Sequence, residues 1–130
     1  MRTKTIEQLK RNISPVLNNG DDILLKEFNL LLYKNLNTSR SVKYYADQLA
    51  ISTKKLNNIT KKYLDKTAKE YIEITIISES KRLLIKTSDS VKQISYSMGF
   101  TEPTNFNKFF KKFTTVTPLQ FREEINKGAF

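Results

Sequence analysis

The sequence contains no cysteine and no histidine, and only three glycines and three prolines occur among its 130 residues. Without cysteine, the chain has neither a disulfide framework nor a thiolate site. Without histidine, it lacks the commonest general base and the commonest metal ligand. The Asp and Glu residues are scattered and form no cluster with the spacing of a catalytic or metal site. We therefore expect no enzyme activity, no metal and no cofactor.

Long hydrophobic runs are also missing. No stretch of about 18 uncharged apolar residues occurs, and the N-terminal MRTKTIEQLKRN lacks the apolar core of a signal peptide. We therefore expect a soluble protein of the cytoplasm that makes no membrane contact. The apolar residues recur at helical rather than alternating spacing, and with so little Gly and Pro this pattern predicts an all-α protein.

The charge balance is strongly basic. Lys and Arg number 23 against 13 Asp and Glu, which gives a formal net charge of +10. The excess is concentrated between residues 38 and 86, where 11 basic residues face five acidic ones. Such a chain favours a polyanionic partner, because contact with phosphates releases their condensed counterions. Charge alone leaves nucleic acid and other acidic partners open.

One pattern occurs twice in the chain. Ser41-Val42-Lys43 returns as Ser90-Val91-Lys92, and Lys61-Lys62-Tyr63 returns as Lys111-Lys112-Phe113. The first of these pairs is 49 residues apart and the second 50, because the second copy contains one inserted residue. The matching apolar pairs are Leu49 with Met98, Ile51 with Phe100, Leu56 with Phe106, Ile59 with Phe109 and Tyr71 with Phe121. Two copies are too few for a solenoid, so the repeat predicts a tandem pair of small modules.

Each copy shows the signals of a helix-turn-helix unit. Ser41 or Ser90 opens a short helix, with Ser90 and Gln93 forming a capping box, and a tight turn follows at residues 50–51 or 99–100. A fresh cap at Ser52 or Thr101 then begins a second helix. The predicted organisation is an N-terminal helical extension or linker over 1–37, a first helix-turn-helix over 38–66, a bridging helix over 67–86, and a second helix-turn-helix with a C-terminal helix over 87–130.

Capping boxes at Thr67–Glu70 and Thr117–Gln120 predict the start of the bridging helix and of the last helix. The bridging run to about Ile85 has no Gly or Pro and would extend about 26 Å. Such a connector suits two recognition helices about one turn of DNA apart, on the order of 34 Å.

The N-terminal region predicts two further pieces. A short amphipathic segment carries Ile6, Leu9 and Ile13, and a strongly apolar helix from Ile23 to about Leu36 is capped by Asp21 or Asp22. This apolar helix either packs on the first module or belongs to a linker or dimer contact.

The second helix of each copy has one apolar and one polar face. Phe106, Phe109, Phe110 and Phe113 share a face, as do Leu56, Ile59, Thr60 and Tyr63, and we expect both apolar faces to be buried in the core. The opposite faces hold Lys54, Asn58 and Lys61 in the first copy and Thr104, Lys108 and Lys111 in the second, flanked by Lys55, Asn57, Asn105 and Asn107. These acid-free faces suit the major groove, since Asn pairs with adenine, Lys reaches guanine or phosphate, and Thr contacts either base edges or thymine methyls. A solvated surface would explain one such face, but two matched faces favour DNA reading.

Residues 41–122 resemble the DNA-binding domain of the AraC/XylS family of bacterial transcription regulators. The landmarks are Ala46-Asp-Gln-Leu49, Ser52 with Leu56, Tyr71, Ser80-Lys-Arg-Leu-Leu84, Ile94, Gly99-Phe-Thr-Glu-Pro-Thr-Asn-Phe106, Phe110-Lys-Lys112 and Thr117-Pro118 with Arg122. The resemblance implies two helix-turn-helix units bridged by a long helix, reading two successive major grooves. It also implies contact with RNA polymerase, and a dimerisation or effector domain outside this chain, which would then be a fragment. A complete small regulator is the alternative.

The resemblance assigns roles to residues early in each recognition helix. Base reading falls to Lys54, Asn57, Asn58, Thr104, Asn105 and Lys108. The other lysines of the two helices suit phosphate contact, which positions a protein on DNA without specifying sequence; they are Lys55, Lys61, Lys62, Lys111 and Lys112. After each recognition helix the family usually has glycine, where this chain has Asp65 and Thr115. Threonine tolerates a left-handed backbone poorly, so we expect a different turn at Thr115.

The sequence therefore predicts a nucleoid-associated regulator that binds a specific sequence of double-stranded DNA. The rival hypothesis is a basic helical module that binds RNA or an acidic protein through the same lysine faces.

Overall fold

A computed structural model describes residues 20–128 of the chain. This part is entirely helical, as predicted. The helices are α1 (Asp21–Lys34), α2 (Val42–Gln48), α3 (Thr53–Leu64), α4 (Ala68–Lys86), α5 (Val91–Ser97), α6 (Pro103–Thr114) and α7 (Pro118–Asn126). Within the described range no helix is both long and apolar enough to cross a bilayer. The segment predicted around Ile6, Leu9 and Ile13 lies outside the described residues.

The chain divides into two compact units. The first contains the described residues up to 34 together with Val42–Ala68, so it holds α1, α2, α3 and the first residue of α4. The second contains Asn35–Ser41 and the described residues from 69 onward. The long helix α4 is thus the covalent connection that leads from the first helix-turn-helix into the unit of the second.

Helix α1 packs on α2 and α3, which is one of the two roles that the sequence left open for it. Its buried side chains are Phe28 and Leu32, and the Phe28 ring meets the ring of Tyr45 edge-on at 5.7 Å. The predicted bounds were wrong, because the Gly20 carbonyl already accepts a hydrogen bond from the Leu24 amide. Asp21 and Asp22 consequently lie inside the first turn, where their negative charges interact favourably with the positive end of the helix dipole.

The first helix-turn-helix comprises α2 and α3. Between them Ala50 adopts a left-handed φ of 59°, which turns the chain sharply. The predicted cap of α3 is confirmed, since the Ser52 side chain accepts a hydrogen bond from the Lys55 amide at 3.0 Å. Helix α3 ends at Asp65, whose left-handed backbone is well tolerated by this residue type. Leu56, Ile59 and Thr60 are buried, as the helical periodicity predicted, whereas Tyr63, predicted to be buried with them, is only half-buried.

The second helix-turn-helix comprises α5 and α6, followed by α7. Both capping boxes predicted here are confirmed, Ser90 with Gln93 and Thr117 with Gln120. At the turn, Gly99 has a φ of 87°, and a Cβ in its place would lie 2.9 Å from the carbonyl oxygen of Leu36. Glycine is therefore required there both by conformation and by the close approach of another backbone.

Two expectations for the ends of α6 were wrong. The N-cap is Glu102 rather than Thr101, because proline occupies the first helical position and shifts the start of the helix by one residue. At the other end Thr115 adopts the left-handed conformation that we expected it to avoid, with a φ of 70°. Its amide donates to the Lys111 carbonyl at 2.8 Å, and this closing bond holds the turn.

The aromatic face of α6 is only partly core. Phe106 and Phe110 are completely buried, whereas Phe109 is half-buried and Phe113 is 39% exposed. The prediction that Phe113 belongs to the core was therefore wrong. This residue lies in the last turn of the helix.

Candidate nucleic-acid interface

The outer face of α3 presents the polar residues that the sequence singled out. Lys54, Lys55, Asn58, Lys61 and Lys62 are all exposed. The opposite face of the same helix is buried within the first unit, so these side chains have one direction in which to point. The helix itself contains no acidic residue. Its outer surface therefore offers amide and ammonium groups to a ligand without any fixed negative charge.

The outer face of α6 is built in the same way. Thr104, Asn105, Lys108, Lys111 and Lys112 are exposed, and Phe106 and Phe110 are buried behind them. This helix also lacks acidic residues, although its N-cap is Glu102. The exposed positions near the start of the helix carry a hydroxyl, an amide and an ammonium group. These are the donor and acceptor types that contact base edges in a major groove.

The paired lysines at the end of each helix share a second feature. The Lys62 ammonium lies 5.2 Å from the centre of the Tyr63 ring, and that of Lys112 lies 5.5 Å from the centre of the Phe113 ring. Within residues 20–128 none of the lysines predicted for DNA contact forms an ion pair. Their charges are thus available to phosphates, and two of them lie within cation–π range of a ring.

Asn57 occupies a different environment from the other predicted readers. Its side chain is half-buried, and Oδ1 accepts a hydrogen bond from the backbone N–H of Ala68 at 2.9 Å. Ala68 is the first residue of α4, and it is fully buried. The structure therefore brings together on the outer face of α3 all of its predicted contact residues except Asn57, whose carbonyl is already engaged inside the first unit.

Arg40 is a further candidate for contact with nucleic acid, and the sequence did not identify it. It lies in the segment before α2 that belongs to the second unit, and its guanidinium carbon is 3.9 Å from the centre of the Phe100 ring. Arg40 is exposed, so it adds a cation to the unit that contains α6. The repeat gave no signal for it, because Arg40 precedes the first copy and the corresponding position before the second copy is Asp89.

The described residues lack the side-chain cluster of a metal site. They contain no group of three or more Asp or Glu side chains arranged to hold a metal ion. The ion pairs Lys43–Asp47 and Arg82–Glu79 are each formed within one helix, α2 and α4 respectively. The chemistry that the arrangement supports is recognition by hydrogen bonds and charge.

Comparison with known proteins is consistent with this geometry. A family model described as a helix-turn-helix domain matches residues 45–124. The HTH-type transcriptional regulator ArgR of Pseudomonas aeruginosa is 27% identical over 77% of this chain and 30% of its own length. The Msm operon regulatory protein of Streptococcus mutans is 29% identical over 85% of this chain and 40% of its own. Histidine kinase P4 of Formosa agariphila is 28% identical over 98% of this chain but only 10% of its own.

Solved structures share the fold. A transcriptional regulator from Chromobacterium violaceum, described as an AraC-type DNA-binding domain-containing protein, superposes with a TM-score of 0.70 and 25% identity. The match covers 82% of this chain and 96% of that one. The C-terminal domain of the response regulator yesN from Fusobacterium nucleatum has a TM-score of 0.67 at 21% identity, over 75% and 95% of the two chains. The match thus spans nearly the full length of these two solved chains, but less than half of the curated relatives named above.

Proposed function

The chain belongs to the AraC-type family of helix-turn-helix transcription regulators, and from this premise we propose that it recognises a specific sequence of double-stranded DNA. In this proposal α3 enters one major groove and α6 enters the next. The observation that carries it is the matched pair of exposed, acid-free helix faces. Helix α4 has 19 residues, so at about 1.5 Å per residue it extends roughly 28 Å, a length suited to successive grooves.

The roles within each face follow from position and chemistry. We assign base reading to Lys54 and Asn58 on α3. On α6 we assign it to Thr104, Asn105 and Lys108. Asparagine can make paired hydrogen bonds to adenine, and lysine can donate to the acceptors of guanine. Base reading by Asn57 stays a prediction, since its carbonyl oxygen is bonded to the Ala68 amide.

Phosphate contact is assigned to the remaining lysines of the two faces. These are Lys55, Lys61, Lys62, Lys111 and Lys112, and all of them are exposed. Contacts of this kind fix the register of a protein on the duplex and contribute affinity without specifying sequence. They also make binding weaker as salt rises, because each neutralised phosphate releases condensed counterions.

Selection of bound sites from a random duplex library tests the proposal. We expect a bipartite site for each chain, with two conserved blocks about one helical turn apart, favoured over random DNA by roughly 10³ or more at physiological salt. A single block would show that only one helix reads bases. Sequence-blind binding, or a preference for RNA or an acidic protein over the duplex, would contradict the proposal and support the rival hypothesis.

Localisation and partners are further parts of the proposal. We propose that the DNA-binding role places the protein in the bacterial cytoplasm, at the nucleoid. Contact with RNA polymerase, dimerisation and response to an effector are further proposals from family membership. A DNA-binding domain of this kind works by association, so binding rather than chemical turnover is the activity to measure.

A further inference from the structure

The side chain of Asn57 connects two helices of the first unit. Asn57 lies on the flank of α3, and its Oδ1 accepts a 2.9 Å hydrogen bond from the Ala68 amide, 11 residues later in the chain. Between them the chain leaves α3 through the left-handed residue Asp65 and enters α4. The contact therefore spans the turn that joins the proposed recognition helix to the bridging helix.

This hydrogen bond satisfies a group that would otherwise be costly to bury. The first N–H groups of an α-helix have no partner within the helix, and Ala68 at the start of α4 is completely buried. A buried N–H without an acceptor destabilises the structure in which it occurs. The bond is thus made where α4 needs an acceptor, and the acceptor comes from α3.

The same bond conflicts with a base-reading role for Asn57. Paired recognition of adenine uses both ends of the asparagine amide, with the oxygen accepting from N6 and the nitrogen donating to N7. In Asn57 the oxygen is directed to Ala68, and the side chain is half-buried. Its neighbour Asn58 is exposed and makes no such contact.

The second module provides a natural comparison. Asn107 stands 50 residues after Asn57, and Pro118 stands 50 residues after Ala68. Proline has no N–H to donate, so the bond cannot form in the second copy. Helix α7 is instead capped by its own Thr117 and Gln120. The tether between the recognition helix and the following helix is therefore a property of the first module.

We propose that Asn57 is a positioning residue, which holds α3 against the start of α4 and so sets how α3 is presented to DNA. It specifies no base itself. This inference rests on the proposed function of α3 as a recognition helix. It assigns the base specificity of α3 to Lys54 and Asn58. It also makes the orientation of α3 dependent on the Asn57–Ala68 hydrogen bond, which has no equivalent between Asn107 and Pro118.

Amide hydrogen exchange of the free protein tests the contact itself. In Asn57→Ala we expect the Ala68 amide to exchange about tenfold faster than in the wild type, because its acceptor is gone. Asn57→Asp should restore slow exchange, since a carboxylate at a helix start is a favoured acceptor. The matched control Asn107→Ala should leave the amides at the start of α7 unchanged. Unaltered exchange of Ala68 in Asn57→Ala would overturn the inference, whatever the protein binds.

Selection from a random duplex library tests the consequence for recognition. A positioning role predicts that Asn57→Ala weakens binding severalfold while the ranking of bases at every position is kept, and that Asn57→Asp keeps the same ranking. A base-reading role predicts loss of preference at one position in both variants, and that result would overturn the inference. So would faster exchange of Ala68 without any loss of affinity. A wild-type chain without base preference would instead refute the proposed function, while the exchange result would still decide the contact.

Discussion

The two helix-turn-helix modules build the same scaffold with different core side chains. Leu56 in the first module stands where Phe106 stands in the second, and both are buried. In the second module the aromatic rings are in mutual contact. The centre of the Phe106 ring lies 5.3 Å from that of Phe100 and 6.0 Å from that of Phe110. The first module has Tyr45, completely buried, where the second has Ile94. The scaffold therefore depends on the positions of apolar groups and tolerates changes in their identity.

The modules differ more where the helices begin and where they face solvent. Helix α3 starts with a side-chain cap from Ser52, whereas the N-cap of α6, Glu102, makes no side-chain cap bond and is followed by Pro103. The exposed early positions hold Lys54 and Asn58 in α3 but Thr104 and Lys108 in α6. Differences at such positions change recognition without disturbing the packing behind them.

The core comparison predicts the largest effect. Phe106→Ala should destabilise the second unit by about 4 kcal/mol, because it removes a fully buried ring and leaves a cavity between Phe100 and Phe110. Leu56→Ala should cost the first unit about 3 kcal/mol. Urea unfolding combined with amide exchange in each unit would measure both. Phe113→Ala is the matched control, since that ring is 39% exposed and should cost under about 1 kcal/mol.

If Leu56→Ala proved as costly as Phe106→Ala, the larger ring would add nothing to the second core. The aromatic contacts would then be a consequence of available space rather than a source of stability.

The buried tyrosine predicts a difference at alkaline pH. Burial, with a further contribution from Tyr44, raises the pKa of Tyr45 to about 12. The unfolded chain loses this proton near its ordinary pKa of about 10, so stability is fully present below pH 10 and falls as pH rises from about 10 to 12. We expect the first unit to lose on the order of 2 to 3 kcal/mol over this window.

Tyr45→Phe provides the control, because it removes the titrating group while the ring stays. The stability of its first unit should fall less steeply between pH 10 and 12 than that of the wild type. The stability of the second unit should depend on pH in the same way in both proteins. Parallel slopes in wild type and variant would mean that the phenol ionises as easily in the folded state as in the unfolded chain.

Much of the fold could be predicted because its signals are local. Ser90 with Gln93 and Thr117 with Gln120 are capping boxes, which need only residues three apart. The ends of α6 were harder. At its start Pro103 moved the cap to Glu102, and at its end Phe113 is exposed although it continues the apolar period of the helix. Helical periodicity gives the direction of a side chain but not the extent of the surface that covers it.

The candidate interface was predictable to a similar degree. A period of 3.6 residues identified the exposed positions of both recognition helices, apart from the flanking residues Asn57 and Asn107, which are half-buried. The contact of Asn57 could not be foreseen, since its partner is a backbone amide in another helix and a backbone amide has no sequence signature. Arg40 was missed for a related reason, because its partner ring at Phe100 is remote in sequence.

The comparison of the two exposed faces predicts separate half-site preferences. Asn58→Ala and Lys108→Ala should each weaken binding to the selected site by about 2 kcal/mol and relax base preference in one block only, a different block for each. Lys62→Ala should weaken binding to all sequences alike and reduce the salt slope by about one. Library selection with each variant, and titration at several salt concentrations, would measure these effects. Identical profiles for Asn58→Ala and Lys62→Ala would show that the assigned roles are wrong.

The smallest predicted effect concerns the residues that end the recognition helices. Asp65 and Thr115 both have a left-handed backbone, with φ of 58° and 70°. This conformation suits Asp but strains the β-branched Thr, so Thr115→Gly should stabilise the second unit by about 1 kcal/mol. Asp65→Gly should change the first unit by less than about 0.5 kcal/mol, since relief of strain there is small and glycine adds chain entropy to the unfolded state.

Urea unfolding of the two glycine variants would show whether the strained backbone of Thr115 lowers the stability of the second unit or whether contacts of its side chain offset that strain. The neighbouring Thr114 hydroxyl bonds to the carbonyls of Phe110 and Val116 at 2.9 and 2.8 Å, and the Thr115 hydroxyl donates to the Thr114 carbonyl at 2.5 Å. Stabilisation by Thr115→Gly, without change in Asp65→Gly, would therefore locate the strain in the Thr115 backbone. A destabilising Thr115→Gly would mean that the threonine side chain stabilises the turn by more than its left-handed conformation costs.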